Sequence, residues 1–305
     1  MTVPKKNLPA SVKARLLTTA QQRGDTFNQV LVRYGVERLL YRLSQSAHRD
    51  KFLLKGAMLF AVWDDTLPRP TRDVDFLSFA PAEIEVMKQL FRDIAQANVP
   101  DDGLQFDAAS VQVEEILDDD AYGGVRVRLL ARLGKAKVPL QIDVGSGDAV
   151  TPTAEEVVFP ALLDFPAPQL RAYPIYTVVA EKFEAMVKLD LRNTRMKDFH
   201  DLWYLSRRFE FDGPTLHRAV HATFARRQTE LDDSLPRAIA TRFAADEAKQ
   251  VQWTAFLNRN GLTGSPANFA EVMDLLREFL GAVSGVYPPT DRWIPSSGWS
   301  AGKSM

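Results

Sequence analysis

Cysteine is absent from all 305 residues of this sequence. Its absence excludes a disulfide framework, a cysteine nucleophile and a thiolate zinc site, and it agrees with the reducing cytoplasm, the location that we expect. The sequence also lacks any run close to the about 18 consecutive apolar residues of a membrane-spanning helix. Its polar first residues lack the apolar segment of a signal peptide, so we expect no contact with a membrane.

An excess of charge of one sign is missing too. The formal net charge is -1, so composition alone does not indicate a nucleic-acid-binding protein, although a local charged patch remains open. The hydrophobic content of 46% and the charged content of 25% are typical of a soluble globular protein. A chain of this length is sufficient for one large domain or two modest ones.

Hydrophobic periodicity changes along the chain. Helical spacing predicts helices over 9–20, from an N-cap at Asp25 to Ser46, from Gly56 onward, and from Pro81 to Ala97. Alternation predicts strands over 73–79, 105–117, 124–133 and 137–145, with a turn at Gly123-Gly124. From Thr177 to Leu280 the spacing is helical again. The pattern therefore predicts an α/β half followed by an all-α half.

The proline-rich stretch 160–174 is the best boundary between these halves. We predict an α/β domain over 1–165 that includes the N-terminal helices, a helical domain over 166–286, and an extended or disordered tail over 287–305. Trp293 and Trp299 indicate that part of this tail docks on the protein.

The Asp73-Val74-Asp75 motif is the sharpest local feature. On a strand the two aspartates point to one face and Val74 to the other. Two carboxylates on one face make a poor core and a good site for Mg²⁺, which prefers hard oxygen ligands and completes its shell with waters and substrate phosphates. Asp143 stands in an otherwise apolar strand and is the predicted third carboxylate. A solvated strand edge is the alternative for the motif alone.

Lys55-Gly56-Ala57 lies just upstream of the aspartates. A glycine at the start of a helix lets backbone N–H groups approach a phosphate without a Cβ in the way. The alternative is that Gly56 only forms a turn, and taken alone this alternative is favoured.

Lys182 falls on the apolar stripe of a predicted helix, so it must either extend to the surface or meet an anion. A triphosphate and a carboxylate of the core are both open as that anion. Asp198 and Asp201 follow one turn apart near a helix start, where the helix dipole favours acidic residues in any case. Thr194 is the predicted N-cap of that helix.

Four segments together resemble the AbiEii/AbiGii nucleotidyltransferase toxins, including the mycobacterial MenT branch. They are VKARLL, the run RGDTFNQVLVRYGVERLLYRLSQSAHRDKFLLKGAMLF, TRDVDF, and EKFEAMVKLDLRNTRMKDFHDLW. The resemblance covers about residues 10–210. It implies the α+β class, with a DNA polymerase β-like core of a mixed sheet flanked by helices and an all-α C-terminal region.

The resemblance also implies an activity and its residues. The expected protein is the toxin of a type IV toxin–antitoxin system, which transfers NMP from an NTP to the tRNA 3′ acceptor end with Mg²⁺ or Mn²⁺ and has a cognate antitoxin as partner. The residues carried over are Lys55, Gly56 and Ala57 for the phosphate loop, Asp73 and Asp75 for the metal, Lys182 for the nucleotide, Asp198 for the later motif, and Asp201 as a weaker match.

Ala57 departs from the family pattern, because polymerase β-like signatures usually carry serine there. The departure removes one hydroxyl donor to phosphate. Three alternatives therefore stay open: NMP transfer to a protein hydroxyl, transfer of a phosphate rather than a nucleotide, and nucleotide binding without catalysis.

Overall fold

The structure is a computed structural model and describes residues 7–64, 67–71, 73–116, 124–231, 236–285 and 289–300. The chain divides into two compact units, residues 1–147 with 155–172 and residues 148–154 with 173–305. The chain therefore passes between the units after residues 147, 154 and 172. The predicted boundary at residue 165 falls within the first unit, because the strand that follows it pairs with other strands of that unit.

The first unit contains a large sheet and four helices. Its helices are α1 Leu8–Arg23, α2 Phe27–Gln45, α3 Phe60–Asp64 and α4 Ile84–Ala95. Its strands are β1 Phe52–Lys55, β2 Asp73–Ser78, β3 Leu104–Ile116, β4 Gly124–Leu133, β5 Ala136–Ser146, β6 Glu155–Val158 and β7 Gln169–Ala172. The helices and strands predicted for this half are confirmed, whereas β1, β6 and β7 were missed. The predicted turn at residue 123 lies outside the described residues.

The cap of α2 differs from the prediction. Thr26, and not Asp25, is the N-cap: its hydroxyl accepts from the backbone N–H of Gln29, and the Gln29 side chain accepts from the backbone N–H of Thr26. This reciprocal arrangement satisfies two orphan donors of the helix, which a lone aspartate does not do.

The sheet has seven strands in the order β3-β4-β5-β2-β1-β7-β6. It is mixed, because β2 is parallel to β5 and antiparallel to β1. One face is apolar and fully buried by residues such as Val127, Val138 and Ile142. Helix α2 approaches this face closely at Gly35, where an added Cβ would lie 2.8 Å from Val138 Cγ1. The opposite face carries the polar members of the alternating strands.

Strand β3 is less regular than its alternating sequence predicts. Its register against β4 shifts between Asp107 and Gln112. At the irregularity Ser110 donates a hydrogen bond to the Asp107 carbonyl at 2.5 Å and accepts one from the Leu130 backbone at 2.9 Å. The serine hydroxyl thereby replaces ladder bonds that the bulge removes.

The second unit is mainly helical. Its helices are α5 Ile175–Leu189, α6 Met196–Arg208, α7 Gly213–Arg226, α8 Thr241–Ala244, α9 Glu247–Asn260 and α10 Phe269–Ser284. Thr194 is not the cap of α6: Arg195 occupies the N-cap position without a side-chain cap bond. No helix in the described ranges is both long enough and apolar enough to span a membrane.

The expectation of an all-α C-terminal region is wrong. Strands β8 Phe211–Asp212, β9 Arg292–Ile294 and β10 Gly298–Ser300 form a three-stranded sheet in the order β10-β9-β8. The segment 289–300 folds back because Trp293 is 1% exposed and its indole N–H donates to the Ser206 carbonyl at 2.7 Å. Burial of this ring outweighs the proline- and glycine-rich composition that indicated an extended or disordered tail.

Candidate functional site

Strand β2 carries the two candidate metal ligands on one face. Asp73 is exposed and Asp75 half-buried, whereas Val74 and Phe76 between and after them are buried. The alternation predicted from the sequence is therefore present. Both carboxylates lie on the polar face of the sheet.

Asp75 lies in a row of charged residues that crosses five strands. Its partner on β1 is Lys55, and its partner on β5 is Asp143. Asp143 is in turn opposite Arg126 on β4, and Arg126 is opposite Glu114 on β3. Neighbouring members of such a row stand about 4.8 Å apart. The sheet thus brings together Lys55, Asp75 and Asp143, which are far apart in the sequence.

Asp143 is held by Arg126. The arginine donates from Nε to Oδ1 at 2.8 Å and from its terminal nitrogen to Oδ2 at 2.7 Å. The pKa of Arg126 is raised above its ordinary value, chiefly by this hydrogen bonding, against the opposing effect of burial. In the described part of the chain no three His, Asp or Glu side chains are grouped to hold a metal ion. Both oxygens of the predicted third carboxylate are engaged by a guanidinium.

Gly56 packs directly against Asp75. Its φ is 73°, in the left-handed region, and an added Cβ would lie 2.0 Å from Asp75 Oδ2. It opens a 3-10 turn, Gly56–Leu59, before the short α3, so the helix expected from Gly56 onward is only partly present. Both local conformation and the close approach to the carboxylate require glycine here.

The neighbours of Gly56 face different surroundings. Lys55 is half-buried, and its Nζ lies 4.0 Å from the point that a Cβ would occupy at Gly145 on β5. The lysine side chain therefore extends across the polar face over β2 toward β5. Ala57 is only 6% exposed, so a serine in its place would have a largely buried side chain.

The second unit brings together the remaining candidates. Lys182 on α5 contacts Asp198 Oδ1 at 2.9 Å and Asp201 Oδ2 at 2.7 Å, both on α6. The side chains of Asp198 and Asp201 are 2% and 0% exposed. The inward direction predicted for Lys182 is confirmed, and core carboxylates are its partners. Asp201, the weaker match, contacts the lysine as closely as Asp198 does.

Asp198 remains ionised despite its burial. Burial raises its pKa, but Lys182 and Arg195 lower it by more, so that the net shift is downward. The Arg195 Nε lies 2.9 Å from Asp198 Oδ2. Two cations and two carboxylates therefore balance one another in this cluster.

A second cluster in this unit was missed from the sequence. Arg227 contacts Asp148 at 3.0 Å, Glu181 at 3.2 Å and Glu184 at 2.8 Å, and Thr229 donates to Glu184 at 2.5 Å. The signal was the acidic pair on either side of Lys182, at helical spacing. Arg126 in the first unit was missed likewise, because alternation marks it as polar without naming its partner.

Comparisons with known proteins agree with these features. A sequence model of the nucleotidyl transferase AbiEii toxin family, of type IV toxin–antitoxin systems, matches residues 38–275. No curated protein matches the chain. Among solved structures, the nucleotidyltransferase toxin MenT4 from Mycobacterium tuberculosis is 18% identical over 87% of each chain, with a TM-score of 0.57. JHP933 from Helicobacter pylori is 16% identical over 81% of this chain and 86% of its own, with a TM-score of 0.45.

A mixed sheet flanked by helices, with paired aspartates on its polar face, is the arrangement of a nucleotidyltransferase, and MenT4 has a similar fold. The family match spans most of the chain. The protein therefore belongs to the AbiEii family of nucleotidyltransferase toxins of type IV toxin–antitoxin systems.

Proposed function

We propose that this toxin binds an NTP with Mg²⁺ or Mn²⁺ on Asp73 and Asp75 and transfers NMP to the 3′ acceptor end of tRNA. The observation that carries the proposal is the pair of aspartates on one face of β2, with Gly56 packed against the second. The core is then that of a polymerase β-like enzyme. Membership of a toxin–antitoxin family also implies a cognate antitoxin, and the cytoplasm is the proposed location.

The residues of the polar face fit a divalent cation. Carboxylate oxygens of Asp73 and Asp75 are the hard ligands that Mg²⁺ takes, and waters and substrate phosphates would complete its shell. A bound metal would neutralise the triphosphate and orient the α-phosphorus for in-line attack by a hydroxyl. Asp143 is the proposed third carboxylate, which requires Arg126 to release at least one of its oxygens.

Basic residues would bind the rest of the nucleotide. Lys55 and the backbone at Gly56 and Ala57 adjoin the carboxylate of Asp75 and are the proposed phosphate contacts. Lys182 is the proposed nucleotide contact of the second unit. Asp198 and Asp201 fix the position of its ammonium group from two sides, so the lysine is oriented before any ligand binds.

The acceptor is tested with labelled NTPs. Purified protein is incubated with each NTP, labelled at the α- or the γ-phosphate, together with total tRNA or with cell protein. We expect α-label on tRNA and an added nucleotide in the mass of the 3′ ends. Label on protein would show transfer to a protein hydroxyl, and γ-label would show phosphate transfer.

An inactive variant and a matched control complete the test. Asp75→Asn should abolish labelling, whereas Asp50→Asn removes a carboxylate that is 76% exposed and should label as the wild type does. NTP binding without any labelled product would contradict the proposal and indicate a nucleotide-binding protein without catalysis.

A further inference from the structure

A cavity of about 420 Å³ opens beside Asp73 within the first unit. Its size falls within the range of about 300–1,000 Å³ that is usual for small-molecule sites. Three side-chain amides line it, from Asn28 on α2, Gln112 on β3 and Gln141 on β5. We call it the amide cavity after these residues.

The register of the sheet connects the amide cavity to Asp73. Gln141 is the partner of Asp73 on the adjacent strand, and Arg128 is the partner of Gln141 on the next. Gln112 follows on β3, just after the bulge of that strand. A second row of polar residues thus runs across the sheet beside the charged row, with the proposed metal ligand at its end.

The polar groups of the amide cavity have unused hydrogen-bonding capacity. The side chains of Asn28, Gln112 and Gln141 are lining groups that make no hydrogen bond to any other described residue. Arg128 differs, because Glu114 holds its guanidinium at 2.8 and 2.7 Å. The cavity therefore offers neutral amides, each with donors and an acceptor, rather than a free charge.

Apolar surface makes up the remainder of the wall. Val32, Leu129, Leu130, Pro139 and Leu140 all line the cavity. Apolar surface with a few converging polar groups is typical of a site for a flat organic ligand. Side-chain amides pair in bidentate fashion with the hydrogen-bonding edge of a base, as they do with adenine in nucleic-acid recognition.

The geometry points to the amide cavity as a nucleobase-binding pocket, with Gln141 as a residue that determines which base is accepted. This inference rests on the proposed function, because it needs a nucleotide whose phosphate lies near Asp73. The base could belong to the incoming NTP or to the terminal nucleotide of the acceptor strand. Both sources present the same chemistry, a planar heterocycle with a donor and acceptor edge.

The test compares ligands with and without a base. Affinities for each of the four NTPs and for inorganic tripolyphosphate are measured with Ca²⁺ in place of a reactive metal, for the wild type and Gln141→Leu. The variant keeps roughly the same side-chain size but cannot hydrogen-bond. Gln105→Leu is the matched control, since Gln105 is an exposed glutamine of β3 that does not line the amide cavity.

If the base of the NTP occupies the cavity, Gln141→Leu should weaken binding of the preferred NTP about tenfold and reduce discrimination among the four. Binding of tripolyphosphate should not change. If the acceptor base occupies it, NTP affinity should stay constant while KM for the RNA acceptor rises by a similar factor. Either result supports a nucleobase pocket and identifies its source.

Unchanged NTP affinity together with unchanged acceptor KM would overturn the inference, and so would equal losses for NTP and tripolyphosphate. Gln112→Leu and Asn28→Ala repeat the measurement should Gln141→Leu fail to fold, as judged by its melting temperature. The proposed function fails separately, when wild-type protein gives no labelled product. The binding measurements still decide the pocket in that case.

Discussion

Arg126 and Asp143 face each other on neighbouring strands and are joined by two hydrogen bonds of 2.8 and 2.7 Å. The guanidinium therefore competes with any cation for the oxygens of Asp143. Both side chains are partly exposed, at 31% and 22%, so the arginine has room to move when a stronger cation arrives. The role of Asp143 as a metal ligand depends on this competition.

Removal of Arg126 should raise the affinity of the site for Mn²⁺. Arg126→Ala frees both oxygens of Asp143, and we expect an increase of several fold in a titration followed by electron paramagnetic resonance or calorimetry. Arg128→Ala is the control, because it removes the same charge two residues along the strand from a side chain paired with Glu114. Equal changes in the two variants would mean that Asp143 is no ligand.

Gly56→Ala should damage both stability and metal binding. The positive φ of 73° costs an alanine about 1 kcal/mol, and the new Cβ must displace the carboxylate of Asp75, 2.0 Å away. We expect a loss of more than tenfold in Mn²⁺ affinity, measured by titration, together with a lower free energy of unfolding in urea.

Gly24→Ala separates these two effects. Gly24 has a similar φ of 71°, but nothing lies within 4 Å of its added Cβ. Its substitution should therefore lower the free energy of unfolding by the backbone cost alone and leave Mn²⁺ affinity unchanged. Wild-type Mn²⁺ affinity in Gly56→Ala would refute the contact between this glycine and the metal site.

Asp198 should contribute stability that depends on pH. Its folded-state pKa lies below the unfolded value near 3.9, so its contribution is fully present above about pH 4 and is lost as pH falls through the folded pKa. Asp198→Asn leaves buried Lys182 with one carboxylate fewer and should cost about 3 kcal/mol at pH 7. Urea unfolding at pH 7 and below pH 4 should show the difference from wild type shrinking.

The matched substitution for this comparison is Asp274→Asn. Asp274 is also an aspartate paired with an arginine, but its side chain is 68% exposed. We expect a change within about 0.5 kcal/mol at either pH. A constant difference between Asp198→Asn and wild type across the whole pH range would contradict the lowered pKa.

The C-terminal segment should be needed for stability. Trp293→Ala removes a ring that is 1% exposed and its hydrogen bond to Ser206, and should cost about 3–5 kcal/mol in the free energy of unfolding. Trp299→Ala, at a half-buried position of β10, should cost less. Equal stability of Trp293→Ala and wild type in thermal unfolding would show that the segment does not dock.

Local patterns carried much of the fold and part of the site. The two aspartates share a face because alternation has a period of two, which the sequence displays directly. The apolar stripe of α5 likewise indicated that Lys182 points inward. Partners were not predictable in this way, since the position of Asp143 beside Asp75 follows from strand order and register, and these depend on packing across the whole sheet.

Two further departures have similar causes. The small sheet of the second unit joins β8 to strands about 80 residues later, and no local signal encodes such a pairing. The close approach of Gly56 to Asp75 comes from the antiparallel pairing of β1 and β2. The glycine could be singled out from the sequence, but its reason could not.

The threefold passage of the chain between the units has a consequence for synthesis. Segment 148–154 leaves the ribosome before β6 and β7 but belongs with residues that follow them. Its Asp148 pairs with Arg227, and its Thr151 pairs with Thr177. Neither unit can therefore finish folding from an uninterrupted stretch of newly made chain, and the catalytic aspartates of the toxin are translated well before the protein is complete.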